Sequence, residues 1–313
     1  MASPELAVSP QDPAALQLRL ALRNQARLRP TLDAEPPDPA AELADRREEE
    51  RFVSAERQAI RASLADVPSD APGFLHWFES LKEGGPGQHD PLFPWLAESA
   101  TLAEMRWFIG QELAGEAGFD DLLALTQLRM PERPKLEMAR NFWDEMGRGR
   151  APGMHGPLLG RLADALDARL PLEQIVWPSL ALANMMVALA WNRHYAYQAV
   201  GALGVIELTA PGRAGAVNDG LRRLGVDAGA RKYFALHAHL DVQHSAAWDA
   251  EVLRPLVEAD PRCARAIAEG ALLRLAAGAR CFEAYRDHLW GSQPHAMRRA
   301  SSPDMKRSPM SRR

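Results

Sequence analysis

The chain has 313 residues, of which 25% are charged and 47% apolar, and a formal net charge of -4 at pH 7. That balance describes a globular protein with ample length to bury a core, and it shows no footprint of a nucleic-acid binder. Two cysteines, Cys263 and Cys281, with no Cys-x-x-Cys, exclude a disulfide framework and suit a reducing cytoplasm. No basic start followed by an apolar run marks a signal peptide. The most apolar stretch, Leu180–Trp191, is too short to cross a bilayer and reads as a buried helix. The expected partner is a small molecule, with neither nucleic acid nor membrane involved.

Residues 1–50 are rich in Pro, Ala and charge. Ala15–Arg29 fits a helix, but Pro30, Pro36, Pro37 and Pro39 interrupt the chain after it, so a mobile or loosely docked arm is expected. Ala40–Leu64 reads as helical, with Glu48–Arg51 on a solvated face. The compact domain, expected over 51–290, includes a short amphipathic helix at Phe74–Lys82 and another entered through His89–Leu96. Thr101 is a candidate N-cap, with Glu104 three residues on completing a capping box. The helix starting there places Leu102, Met105, Ile109, Glu112, Glu116, Phe119 and Leu123 on one stripe. A carboxylate facing inward is costly unless it meets a cation, so Glu112 and Glu116 are both candidate ligands.

The next helix, about Glu132–Met146, turns Met138, Asn141, Phe142 and Glu145 inward and stops at Gly147-Arg148-Gly149. Asp144, about 100° from Glu145, reads as solvated. His155 precedes Gly156-Pro157, which opens a helix to about Ala168. Gln174–Trp191, His194–Thr209, Gly212–Leu224, Ala228–Leu253 and Ala264–Trp290 read as further helices. Glu207 is an isolated acid in an apolar segment, either supporting a ligand or facing substrate. Residues 291–313 are Ser-, Pro- and Arg-rich and read as a disordered basic tail. No period-2 strands occur, so the fold class is all-α.

The most informative stretch is Tyr233–His244, where His237, Asp241 and His244 form His-x3-Asp-x2-His. At about 100° per residue, positions i, i+4 and i+7 share one helix face, and His239 falls on the opposite one. Three polar residues on a stripe can simply be solvated. This stripe, however, is bounded by Tyr233 and Phe234 before and Trp248 after, which turns it inward as a metal-ligand set.

The run Trp143–Gly149 followed by Met154-His155, and later the His237 triplet, resembles the iron-containing redox enzymes with a haem-oxygenase-like fold. The resemblance covers roughly residues 90–255. It implies a haem-oxygenase-like helical bundle in which Glu116, Glu145, His155, His237, Asp241 and His244 bind two iron ions per chain. Dioxygen would be the co-substrate and a small organic molecule would be oxidised. Glu116 is favoured over Glu112 by its interval to Glu145. Nothing around His76 matches a haem-ligating histidine. The fold also admits a homodimer. The rival reading is a cofactorless or non-redox small-molecule-binding protein on the related thiaminase and pyrroloquinoline-quinone synthase bundle, families that lack the carboxylate-histidine set.

Overall fold

The computed structural model describes residues 12–32, 36, 38–116 and 118–291. Among these residues thirteen α-helices succeed one another: α1 Pro13–Leu28, α2 Pro39–Ile60, α3 Ala71–Gly84, α4 Leu92–Glu98, α5 Leu102–Glu116, α6 Phe119–Thr126 and α7 Glu132–Glu145. Then come α8 His155–Ala165, α9 Trp177–Trp191, α10 Ala196–Arg223, α11 Lys232–Trp248, α12 Arg254–Ala259 and α13 Arg262–Gly291. Among the described residues there is no strand, only an isolated antiparallel bridge between Met146 and Met154. No described helix is long and apolar enough to cross a membrane. The basic segment beyond Gly291 lies outside the described residues.

The axle of the bundle is α10, which packs against α13, α11 and α4. Val200, Ala202, Leu203 and Val205 on it are fully buried, the pattern of a helix enclosed on several sides. Two helices were expected here, separated at Pro211. Proline lacks the N–H that would bond the carbonyl four residues back, yet the helix runs through it. Neighbouring side chains hold the turn: Thr209 Oγ1 donates to the Val205 carbonyl at 2.6 Å, and Arg213 donates to Thr209 Oγ1 at 3.1 Å.

The opposite correction applies to the stripe from Leu102 to Leu123. The capping box forms as expected, with Glu104 accepting from Thr101 N at 2.7 Å and Glu104 N donating to Thr101 Oγ1 at 3.3 Å. The helix nevertheless ends at Glu116, because Gly118 adopts φ 101° and redirects the chain into α6. Phe119 and Leu123 thus reach the core from a separate helix.

The arm over residues 1–50 contains a helix seated on the bundle. Leu20 of α1 is buried against the core, and Asn184 of α9 donates to both the Gln17 carbonyl and Gln17 Oε1 at 2.9 Å. Asn24 donates to Asn184 Oδ1 at 2.9 Å. Buried amides satisfied across an interface fix its register. The expected solvated face at Glu48–Arg51 holds at Glu50 and Arg51, which are exposed, and is corrected at Glu49. Glu49 is buried, taking Arg27 at 2.7 Å and Arg23 at 3.2 Å. Glu50 accepts from the Tyr195 hydroxyl at 2.9 Å.

Where α10 crosses α13, the backbones touch. A Cβ on Gly201 would stand 1.8 Å from the Ile267 carbonyl oxygen, and one on Gly270 1.8 Å from that of Gln198. Gly201→Ala must therefore push the helices apart, at a cost of about 1–3 kcal/mol or more. Urea denaturation should show a lowered midpoint for it. Gly212→Ala, where nothing lies within 4 Å of the new methyl, should be neutral or stabilising.

A π turn, Asp249–Leu253, succeeds α11. Burial pushes the Asp249 carboxyl up to about 8, and a hydrogen bond with Glu79 adds to this. The folded chain keeps a proton there that the unfolded chain has released, so this group's contribution to stability falls as pH rises towards about 8. Asp249→Asn should melt above the parent at pH of about 8 and lose that advantage at pH of about 4, in thermal scans across pH.

Candidate metal centre

Four helices bring the ligand-type side chains together. Glu145 is the last residue of α7 and His155 the first of α8. The turn between them folds back so that Met146 and Met154 pair. Gly147 makes this fold-back close, since at φ 61° its Cβ would lie 2.4 Å from the Gly153 carbonyl carbon. Glu207 comes from the middle of α10, and His237, Asp241 and His244 from α11.

These side chains fall into two groups of three. Glu145, His155 and His237 present ligand atoms all within 4.8 Å of one another, and Glu207, Asp241 and His244 do the same. In the first group, His155 Nδ1 lies 2.8 Å from Glu145 Oε1, both side chains being buried. The angle is not that of a hydrogen bond, and Nδ1 has no hydrogen-bond partner. The two atoms converge on a common point, as ligands do, instead of donating one to the other. His237 Nδ1 faces the Tyr233 carbonyl at 2.8 Å and must donate to it. That leaves its other nitrogen as the lone-pair donor. Burial holds the His237 pKa below the usual histidine value, with Glu145 opposing, so this imidazole is neutral at pH 7.

In the second group, His244 Nδ1 lies 3.5 Å from Glu207 Oε2, within ion-pair distance. Its Nε2 faces Asp144 Oδ2 at 3.3 Å. Arg148 steadies Asp144 at 2.6 Å, and Asn141 donates to Glu207 Oε1 at 2.7 Å. Burial resists protonation of His244, but Glu207 and Asp144 outweigh it and push its pKa up to about 9. Carboxylate oxygens and imidazole nitrogens, gathered within 4.8 Å of one another in each group, fit a divalent first-row cation.

Five of the six residues expected as ligands meet here: Glu145, His155, His237, Asp241 and His244. The sixth expectation falls on Glu116, whose side chain lies outside the described residues. Glu112 lines the adjoining cavity but belongs to neither group, and accepts from the Tyr285 hydroxyl at 3.2 Å. The triplet on α11 does not close on one point. His237 and His244 are separated by about 10.5 Å of helix rise, so they serve different groups. Asp144, expected to be solvated, instead supports His244, because α11 packs across that side of α7.

The residue that completes the second group is Glu207. Its signal was present in Val205-Ile206-Glu207-Leu208, an acid in a segment otherwise destined for the core. Sequence spacing could not say which helix would face it.

Both groups open onto one cavity. Its wall includes Glu145, His155, Glu207, His237 and Asp241, and elsewhere Phe93, Phe108, Phe119, Leu182 and Ile206. The buried thiol of Cys281 also lines it.

No curated protein matches the chain. The all-α architecture is that of a haem-oxygenase-like bundle. The family model described as iron-containing redox enzyme matches residues 106–279, from α5 into α13 and across both ligand groups. With more than half of its length covered by that match, the protein belongs to the iron-containing redox enzyme family.

Proposed function

We propose that the protein is an oxygen-dependent oxidase or oxygenase with a dinuclear non-haem iron centre, acting on a small organic molecule held in the cavity. The observation that carries this reading is the pair of groups in which imidazole nitrogens and carboxylate oxygens from four helices lie within 4.8 Å of one another. Glu145, His155 and His237 would hold one ion, and Glu207, Asp241 and His244 the other. Iron bound there would supply redox chemistry with dioxygen that side chains lack.

The rest is the work of the chain. Tyr233 fixes the His237 tautomer, and Asp144 with Arg148 fixes His244, so each ring enters the site in one orientation. Asn141 holds Glu207 by one oxygen and leaves the other turned towards His244. The aromatic wall excludes water and orients an apolar substrate beside the ligands. Loading requires His244 to lose its proton, so affinity for metal should rise with pH.

Anaerobic addition of ferrous iron, followed by desalting and metal analysis, should give about two irons per chain, the stoichiometry of a two-metal site. Optical spectra after exposure to oxygen should change, and oxygen uptake should accompany reaction. His237→Ala and His244→Ala should each lose about one of the two irons, from opposite groups. A chain that takes up none would overturn the proposal. Glu207→Ala should retain about one iron per chain, because it removes a ligand from only one group. Full retention in that variant would exclude Glu207 from the centre, and Glu112→Ala in parallel should keep both ions.

A further inference from the structure

Helices α10 and α11 run antiparallel, and three contacts mark their register. A Cβ on Gly215 would stand 4.0 Å from the Ala238 methyl, and Glu207 faces His244 at 3.5 Å. Beyond that pair, a Cβ on Gly204 would stand 2.4 Å from Trp248 Nε1 and 2.6 Å from Trp248 Cδ1. Gly204 is thus a notch in α10, and the five-membered ring of Trp248 fills it. Trp248 is 1% exposed, and its indole N–H has no hydrogen-bond partner among the described residues. Leaving a buried donor unpaired is costly, so the ring holds this place by its shape. It is also the last residue of α11, because the chain enters the π turn at Asp249. Asp241, His244 and Trp248 share one stripe, with the indole about 6 Å of helix rise beyond His244. Gly204 lies about 4.5 Å before Glu207 on α10. The notch is therefore about one turn from the second ligand group on both helices that build it. His237 is about 16 Å back along α11, and its partners Glu145 and His155 come from α7 and α8.

Resting on the reading of the two groups as metal sites, we infer that Trp248 is a positioning residue for the second group. Seated on Gly204, it sets the separation of α10 and α11, and thereby the gap across which Glu207 meets Asp241 and His244. A close-packed interior transmits strain instead of absorbing it. A methyl at Gly204 lifts Trp248 and with it the end of α11, drawing Asp241 and His244 away from Glu207. A smaller side chain at Trp248 lets α11 settle the other way. The contact at Ala238, next to His237, keeps the opposite end of α11 in place. Either change therefore acts on the second group, and α10 gives no residue to the first. The two groups are adjusted by separate devices: the first by the turn between α7 and α8, the second by an aromatic wedge between α10 and α11.

The test is binding of ferrous iron by the full chain and its variants in anaerobic equilibrium dialysis, with circular dichroism and urea midpoints recorded in parallel. The parent should hold about two irons per chain. Gly204→Ala should weaken the second ion about tenfold or more, the loss typical when the support behind a ligand is removed, and leave the first unchanged. His237→Ala in that background should remove the first ion as well. Gly204→Ala combined with Trp248→Phe, whose phenyl ring leaves room for the methyl, should recover the second ion. Gly201→Ala controls for stability alone: it strains the crossing with α13, which supplies no residue to either group, and should keep both ions while folded. If Gly204→Ala does not fold, Trp248→Leu, which removes the wedge without adding a clash, should lose the second ion in its place. Both ions held at parental affinity by Gly204→Ala, or by Trp248→Leu, would overturn the inference. So would equal weakening of the two ions, or a double variant that folds yet stays at one iron, since lost packing alone would then account for the defect. A parent that binds no iron sinks the proposed function and this inference with it; a parent with two irons and unaltered variants sinks the inference alone.

Discussion

Everything in the interior depends on how three carboxylates are buried together. Glu145, Glu207 and Asp241 lie in the middle of a helical bundle, each 4% exposed or less. Charges so placed are tolerated only if each finds a counter-charge or a hydrogen-bonding partner. The chain meets that demand with imidazoles and amides delivered from different helices. His155 reaches Glu145 because a glycine turn folds α8 back on α7, and His244 reaches Glu207 because α11 packs along α10. The same arrangement that relieves the burial cost produces two clusters of inward-facing, ligand-type atoms, so the stability of the interior and the geometry of the candidate centre rest on the same contacts.

Support extends one layer outward. Asn141, Asp144, Arg148 and the Tyr233 carbonyl touch no common point themselves, yet they decide the tautomer and tilt of the residues that do. Two of these come from α7, the helix that also supplies Glu145. One helix therefore contributes a ligand to the first group and the buttress for the second. A shift of α7 would be felt by both.

Much of this was legible in the chain itself. The all-α class, the capping box at Thr101 and Glu104, and the inward stripe ending at Glu145 stem from periodicity, which is a local property. The His-x3-Asp-x2-His pattern marked α11 as a carrier of clustered ligand-type side chains for the same reason. What stayed hidden was set by long-range packing. Pro211 signals a break locally, but contacts on several sides of α10 carry the helix through it. Glu49 looks solvated within its charged run until α1 brings Arg23 and Arg27 to it from more than twenty residues away. Glu207 was visible as a misplaced acid, and its partners on α11 were not. The α11 stripe left open how its three residues divide between two groups, which the facing helices decide.

The glycine crossing of α10 and α13 has a reach beyond its own neighbourhood. Both helices continue past that contact to form cavity wall, α10 through Glu207 to Val217 and α13 through Arg274 to Phe282. The contact acts as a fulcrum. Any change of angle there is magnified along the two arms, altering the gap between them where the aromatic rings stand. The width of the chamber is thus governed from Gly201 and Gly270, residues that touch neither a ligand nor anything the chamber could hold.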